Sequence, residues 1–221
     1  EAKYEIKISK PELSPNFDES GLLNPDAKAL PGYPAREVVG ALQWVVCCAR
    51  PDLAHSTNTL ARAASQKPTQ AMAKCARIVL GYLKGTKGYV IRYSPEAEAD
   101  FNKHYKRIVR EEKENEKYVK DINAVDSAVH LFTDASFAVG FKTMKSISGI
   151  IIYLYGMPIA WRSKMQSIMT TCTTQSEWVA VSDGIDFSNS VYGLQRFLVN
   201  QKETDPNRGP IWCDNRGAVL V

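Results

Sequence analysis

No stretch of the 221 residues approaches the roughly 18 uncharged apolar residues a membrane helix needs, so no membrane span is expected. The chain opens at Glu1 without a methionine and shows no signal-peptide pattern, and it therefore reads as a fragment or a processed product. Cys47, Cys48, Cys75, Cys172 and Cys213 are odd in number and scattered, with no CxxC spacing and no Cys/His cluster, which leaves zinc ligation without support. Reduced core thiols in an intracellular compartment are the expectation, with nucleus, cytoplasm and organelle all open. Ser163, Cys172 and His130 show no nucleophile–base arrangement, so acyl-transfer chemistry has no basis either.

What is present is an ordinary globular composition, 44% hydrophobic and 24% charged, with a net charge of +4. The charge is uneven: +5 over residues 1–93, −2 over 94–127 and +1 over 128–221. A positive balance in the first part is compatible with a phosphate-binding surface without demanding one.

Three acids on three separate elements stand out. Val129–Phe132 is a short apolar run that delivers Asp134, and a second apolar run follows at Ile150–Tyr155. Glu177 lies near the start of a helical pattern, and Asp214 follows the short run Ile211–Cys213. A carboxylate at the mouth of a buried strand, followed by a turn and a second strand, is how many metal-dependent sites begin. Taken alone, each acid reads equally as an exposed charge, and Glu177 as a first-turn carboxylate facing the helix dipole.

Residues 1–33 are rich in proline and polar residues and read as an extended arm lying on something else. From Pro34 the pattern is helical: Val38, Val39, Leu42, Val45 and Val46 share a face, and Arg50-Pro51-Asp52 ends that helix and starts another, about Pro51–Ser65. A third begins at Pro68-Thr69, carries Met72, Cys75, Ala76, Val79, Tyr82 and Leu83 on one side, and stops at Gly85. Tyr89–Tyr93 reads as a strand. Residues 94–127 interleave Glu and Lys at helical spacing and suggest a solvated helix that Phe101, Tyr105, Ile108 and Val109 dock lightly, either a spacer or a partner-binding element.

Val39-Gly40-Ala41-Leu42, Ala49-Arg50-Pro51-Asp52-Leu53, Gln66-Lys67-Pro68-Thr69 and the stretch Ile78–Lys87 resemble, in order and spacing, the thumb at the end of the reverse transcriptase of copia-type retrotransposons. The polymerase signature of that family, an aromatic residue followed by paired aspartates, occurs nowhere in the chain. DNA synthesis by this chain alone is excluded on chemistry, because the metal-holding acids are missing.

The resemblance continues into the RNase H domain of the same elements. Leu131–Ala138 resembles the family's YSDADWAG, Lys145–Gly149 its RSTSG, Ile159–Gln166 its ISWSSKKQ, Thr174–Ala180 its TEAEYMA, and Cys213–Ala218 its CDNQSA. The implied fold is α/β: an RNase H-like mixed sheet with a flanking helix over 128–221, preceded by an arm (1–33), a small helical thumb-like segment (34–93) and a charged insertion (94–127). Three antiparallel strands (about 129–134, 148–155 and 158–163), a helix at about 176–200 and a strand near 210–213 parallel to the first are expected, with Val191, Tyr192, Leu194, Phe197 and Leu198 packing the helix on the sheet.

The resemblance further implies magnesium, with manganese as a substitute, held by Asp134, Glu177 and Asp214, and cleavage of RNA in an RNA–DNA hybrid. Lys142, Lys145, Arg162, Lys164 and Arg216 are the candidate nucleic-acid contacts. Trp161, Trp178 and Trp212 are expected in the core. Ser136 and Gln175 stand where the family has further acids, and the family's fourth metal-site acid would lie past Val221. Without it the second metal is weakly held and catalysis suffers, unless a separate polypeptide supplies the missing part. The competing reading is a domesticated, inactive retroelement fragment. It would be a structural or RNA-binding subunit whose partners meet residues 1–33 and 94–127.

Overall fold

A computed structural model describes residues 19–22, 24, 26–65, 67–114, 127–139, 144–199 and 209–219. The chain forms two compact units, Glu1–Val90 and Ile91–Val221.

The first unit is helical: α1 (Glu19–Leu22), α2 (Ala35–Ala49), a single 3₁₀ turn (Pro51–Leu53), α3 (Ala54–Ala64) and α4 (Gln70–Gly85). Its core is the set the helical spacing marks, with Val38, Val39, Leu42, Leu53, Leu60, Met72, Ala76 and Val79 all buried. Thr69 caps α4, its hydroxyl accepting from the Met72 amide at 3.2 Å. The later part of the expected arm lies on this core: Leu22 is buried, Ala29 bridges Thr69, and the Leu30 amide donates to the Pro68 carbonyl at 2.8 Å. Residues 1–18 of that arm fall outside the described residues.

The α2–α3 junction is tied by one arginine. Arg50, 6% exposed, forks onto Asp52 with Nη2–Oδ2 at 2.7 Å and donates to the carbonyl and hydroxyl oxygens of Thr86 at 3.2 and 2.7 Å. The Tyr82 hydroxyl donates to the same Asp52 oxygen at 3.0 Å. Tyr89–Tyr93 is not a strand. It has no pairing partner among the described residues, and Tyr89, Val90 and Tyr93 are all exposed, with Tyr89 flanking the Arg50 guanidinium. β-branched and aromatic residues do not make a strand without a neighbour to pair with.

The second unit holds α5 (Pro95–Glu114), β1 (Val129–Ser136), β2 (Ile147–Leu154), β3 (Met157–Met165), α6 (Thr173–Val199), β4 (Ile211–Trp212) and α7 (Arg216–Val219). The sheet runs β3-β2-β1-β4, antiparallel except for the parallel pair β1–β4. This is the mixed α/β architecture expected, consistent with an RNase H-like fold. A two-residue turn, Tyr155-Gly156 with φ of 51° and 73°, closes the β2–β3 hairpin, and those positive angles are what such a turn requires.

Strand alternation sorts the sheet into two faces. Val129, Leu131, Ile150, Ile152 and Leu154 form one buried layer with Val191 of α6. Small residues let α6 sit close to β1: Ser176, Ala180, Gly184 and Ser188 recur every fourth position, and all are buried. A Cβ at Gly184 would stand 2.8 Å from Thr133 Cγ2 and 3.1 Å from Leu131 Cδ1. Gly184→Ala is therefore expected to destabilise by about 1–3 kcal/mol through overpacking, despite a helix-propensity gain of about 1 kcal/mol. Urea unfolding checks this, and an unchanged midpoint would mean the helix slides outward at no cost.

The other face carries His130, Phe132 and Tyr153 and is covered by the charged helix. Phe101 of α5 stacks on Tyr153 at 5.0 Å and meets His130 edge-on at 4.8 Å, and Tyr105 reaches Phe132 at 5.3 Å and Trp212 at 4.9 Å. Polar on its outer side, α5 nonetheless supplies the aromatic lid that this sheet face needs. Of the tryptophans, Trp212 joins this layer and Trp161 is half-buried, but Trp178 is 44% exposed and is not a core residue. Leu194, Phe197 and Leu198 are likewise exposed, because only Val191 and Tyr192 reach the sheet layer and the last turns of α6 carry the three beyond it.

Candidate metal centre

Four elements end at one corner of the second unit. β1 contributes Asp134, whose partner across β2 is Gly149; with no side chain opposite, the Asp134 carboxylate stays exposed. Alternation directs it to the face of His130 and Phe132, while Thr133 and Ala135 face α6.

Glu177 comes from the second turn of α6, not the first, so the helix-dipole reading of this acid does not hold. It is 5% exposed and accepts from the Ala135 amide. Two glutamine side chains fix the start of its helix. The Gln175 side chain accepts from the Thr171 amide at 2.9 Å and from the Thr171 hydroxyl at 2.8 Å. The buried Gln166 donates from Nε2 to the Ser176 carbonyl at 2.8 Å and to Ser148 Oγ at 3.1 Å. Gln175, which departs from the family's acid at that position, thus serves as a capping residue.

Asp214 follows β4, on a turn closed by Asn215, whose side chain accepts from the Ala218 amide at 3.1 Å. Gly217 allows α7 to approach α6, since a Cβ there would lie 2.8 Å from Thr174 Oγ1.

Ligand atoms of Glu177, Cys213 and Asp214 all lie within 4.8 Å of one another. Asp134 is outside that group, yet close enough for its charge to act on Glu177. Burial first, then the charges of Asp134 and Asp214, push the Glu177 carboxyl above the usual carboxylate range, against the opposing Ala135 amide bond. No basic side chain offsets this among the described residues. The Cys213 thiol donates to Glu177 Oε2 at 3.8 Å, and its own titration is pushed up, mainly by burial. Carboxylate oxygens from three elements suit a hard divalent cation.

Cys213 was not among the site residues the sequence singled out. Period-two alternation past Trp212 was the available signal, since it turns position 213 toward α6. Of the proposed nucleic-acid contacts, Lys145 donates its ammonium to the Ser167 carbonyl, Arg162 lies 4.2 Å over the Phe187 ring, and Lys164 is exposed on β3. Lys142 and the Arg216 side chain lie outside the described residues. No described helix is long and apolar enough to cross a membrane.

Fold and corner together describe a mixed α/β unit of RNase H-like type with carboxylates gathered at one sheet end. The chain as a whole is similar to retrovirus-related Pol polyproteins of plant transposons. It is 24% identical over 218 residues to that of transposon TNT 1-94 of Nicotiana tabacum, and 26% identical over 221 residues to that of transposon RE2 of Arabidopsis thaliana. These alignments cover 97% and 100% of this chain but only 13% of either polyprotein, so the chain spans about an eighth of their length. It is also 26% identical over 150 residues to the secreted RxLR effector protein 161 of Plasmopara viticola, which covers 68% of this chain and 85% of that protein. No family model and no solved structure matches the chain.

Proposed function

We infer that the second unit is a ribonuclease H-type module of retroelement origin that cleaves RNA in RNA–DNA hybrids with magnesium, or manganese in its place. One observation carries the reading: a buried carboxylate, Glu177, on which the charges of Asp134 and Asp214 act, with no cationic side chain offsetting them among the described residues. Like charges packed together cost stability unless a cation relieves them. Glu177 and Asp214 would hold the ion from one side and Asp134 from the other. Bound magnesium supplies a water activated at neutral pH and a countercharge for the leaving oxygen. The chain's own part is to hold the three carboxylates, through the Gln175 and Gln166 bonds at the start of α6 and the Asn215 turn, against the end of β1.

The test is cleavage of a labelled RNA–DNA hybrid in magnesium and in manganese. Asp134→Asn should lower the rate by more than about a hundredfold while leaving the melting curve cooperative, since even outer-shell partners cost about 10–100-fold in metal affinity. A mutant as active as the parent would remove Asp134 from the site.

A second reading, an inactive fragment serving as a structural or RNA-binding subunit, is favoured by the match to the effector protein. There the shared stretch makes up 85% of the protein, so this kind of sequence also stands outside a polyprotein. Absence of cleavage in either metal from a folded chain would decide for it.

A further inference from the structure

Glycine weakens the interior of a strand, and where it stands there it marks an unusual φ, a bulge, a crowded neighbour or the close approach of something from outside. In the second unit Gly156 answers to the first cause, with φ of 73°, and Gly184 and Gly217 to crowding, with an atom 2.8 Å from a Cβ. Gly149 of β2 answers to neither. Its φ is not positive, and a Cβ there would meet one described atom within 4 Å, the Asp134 carbonyl oxygen at 3.7 Å, an ordinary contact. Nor is it a bulge. Gly149 pairs in register with Asp134 on one side and Ser163 on the other, and the irregularity of the β2–β3 ladder falls at Ile152/Tyr153. A side chain would fit here, so the remaining cause is an approach from outside.

The bare position adjoins the carboxylate corner. Residues paired directly across a ladder share a face, so Gly149 and Asp134 open on the same side, one strand spacing or about 4.8 Å apart. Gly149 is half-buried and Asp134 exposed, and Ile147 and Ile151, two residues either way along β2, stand on that same face. Between the two isoleucines lies a slot one residue wide that leads up to Asp134. Its floor offers no hydrogen bond, because a central strand spends its N–H and C=O groups on both neighbours. Such a floor takes the flat face of a sugar ring by shape. A nucleotide strand rises about 3.4 Å per residue, so the sugar next to a phosphate at Asp134 falls over Gly149.

We propose that Gly149 is the floor of a substrate subsite, on which the ribose adjoining the phosphate bound at Asp134 lies, so that the missing side chain sets how closely the RNA strand approaches. The proposal rests on the reading above in placing a hybrid at Asp134, but not on its being cut.

The test raises a side chain from this floor. In Gly149→Ala and Gly149→Val the melting temperature should hold or rise, since a Cβ fits and valine suits a strand. The magnesium-induced rise in melting temperature should be kept in Gly149→Ala, because the carboxylates are untouched. The KM for a labelled RNA–DNA hybrid should climb with side-chain size, by more than about tenfold in Gly149→Val, while kcat changes far less. Anisotropy of the same hybrid in calcium, which takes the same oxygen ligands, should show binding weakening in the same order. A merely structural glycine would move the melting temperature instead. Parental KM and parental hybrid affinity in Gly149→Val would overturn the proposal and leave the nuclease reading standing. Loss of the magnesium shift in Gly149→Ala would also overturn it, by showing that the side chain acts through the ion site. Binding that weakens from parent to alanine to valine, in a chain that cuts nothing, would sink the nuclease reading and keep the subsite. A parent chain that neither binds nor cuts the hybrid would overturn both.

Discussion

Arg50→Ala should destabilise the helical unit by about 2–4 kcal/mol, enough to lower its melting temperature by several degrees. Arg50 is buried and contacts four residues at once: the fork to Asp52, two bonds to Thr86, and ring contacts with Tyr82 and Tyr89. Truncation strips Thr86 of the Arg50 donor and leaves Asp52 with the Tyr82 hydroxyl and its own backbone amide. Arg50→Lys should recover less than half of the loss, since an ammonium cannot reproduce the planar fork. A loss under about 1 kcal/mol in guanidinium unfolding would reduce the network to a surface pair.

The same network gives a pH dependence. Burial pushes the Asp52 carboxyl up, but the bonds from Arg50 and Tyr82 together outweigh it and hold the group below the usual range. A depressed folded-state value stabilises above the unfolded carboxylate value and is lost as pH falls through the folded one. Melting of the parent chain should therefore drop below about pH 4 more steeply than that of Asp52→Asn, which has already forfeited this contribution.

Glu177→Gln should have the opposite sign. In the presence of a chelator it should stabilise the second unit by about 1–2 kcal/mol, because a neutral amide of the same shape removes a buried charge facing Asp134 and Asp214. Magnesium should raise the melting temperature of the parent chain and leave that of the variant unmoved, as a ligand stabilises only the state that binds it. Differential scanning calorimetry with and without magnesium separates the outcomes. If the variant melts lower than the parent in chelator, Glu177 is structural, held by Ala135 and Cys213, and the functional reading loses its main support.

Much of the architecture was legible from the residues. The core spacings of α2 and α4, the helix start at Pro68-Thr69, and the apolar runs of β1 and β2 specify their elements locally, because helix and strand periodicities of 3.6 and 2 are properties of the backbone. The resemblance extended this to β3, α6 and the parallel β4. Local pattern failed where a partner decides. Tyr89–Tyr93 has strand composition and no strand to pair with. The end of α6 is apolar at Leu194, Phe197 and Leu198 but projects past the sheet layer. Helix α5, polar by composition, needed only Phe101 and Tyr105 to cover a sheet face.

The site divides in the same way. The sequence by itself determined which acids are available, that no polymerase pair is present, and that the acids lie on strand, helix and turn, since these depend on residue identity and local periodicity. Only the tertiary structure decided that Glu177 is buried with no countercharge among the described residues, and that ligand atoms of Glu177, Cys213 and Asp214 come within 4.8 Å of one another. Burial and the sum of neighbouring charges arise from segments distant in sequence, and no window along the chain contains them.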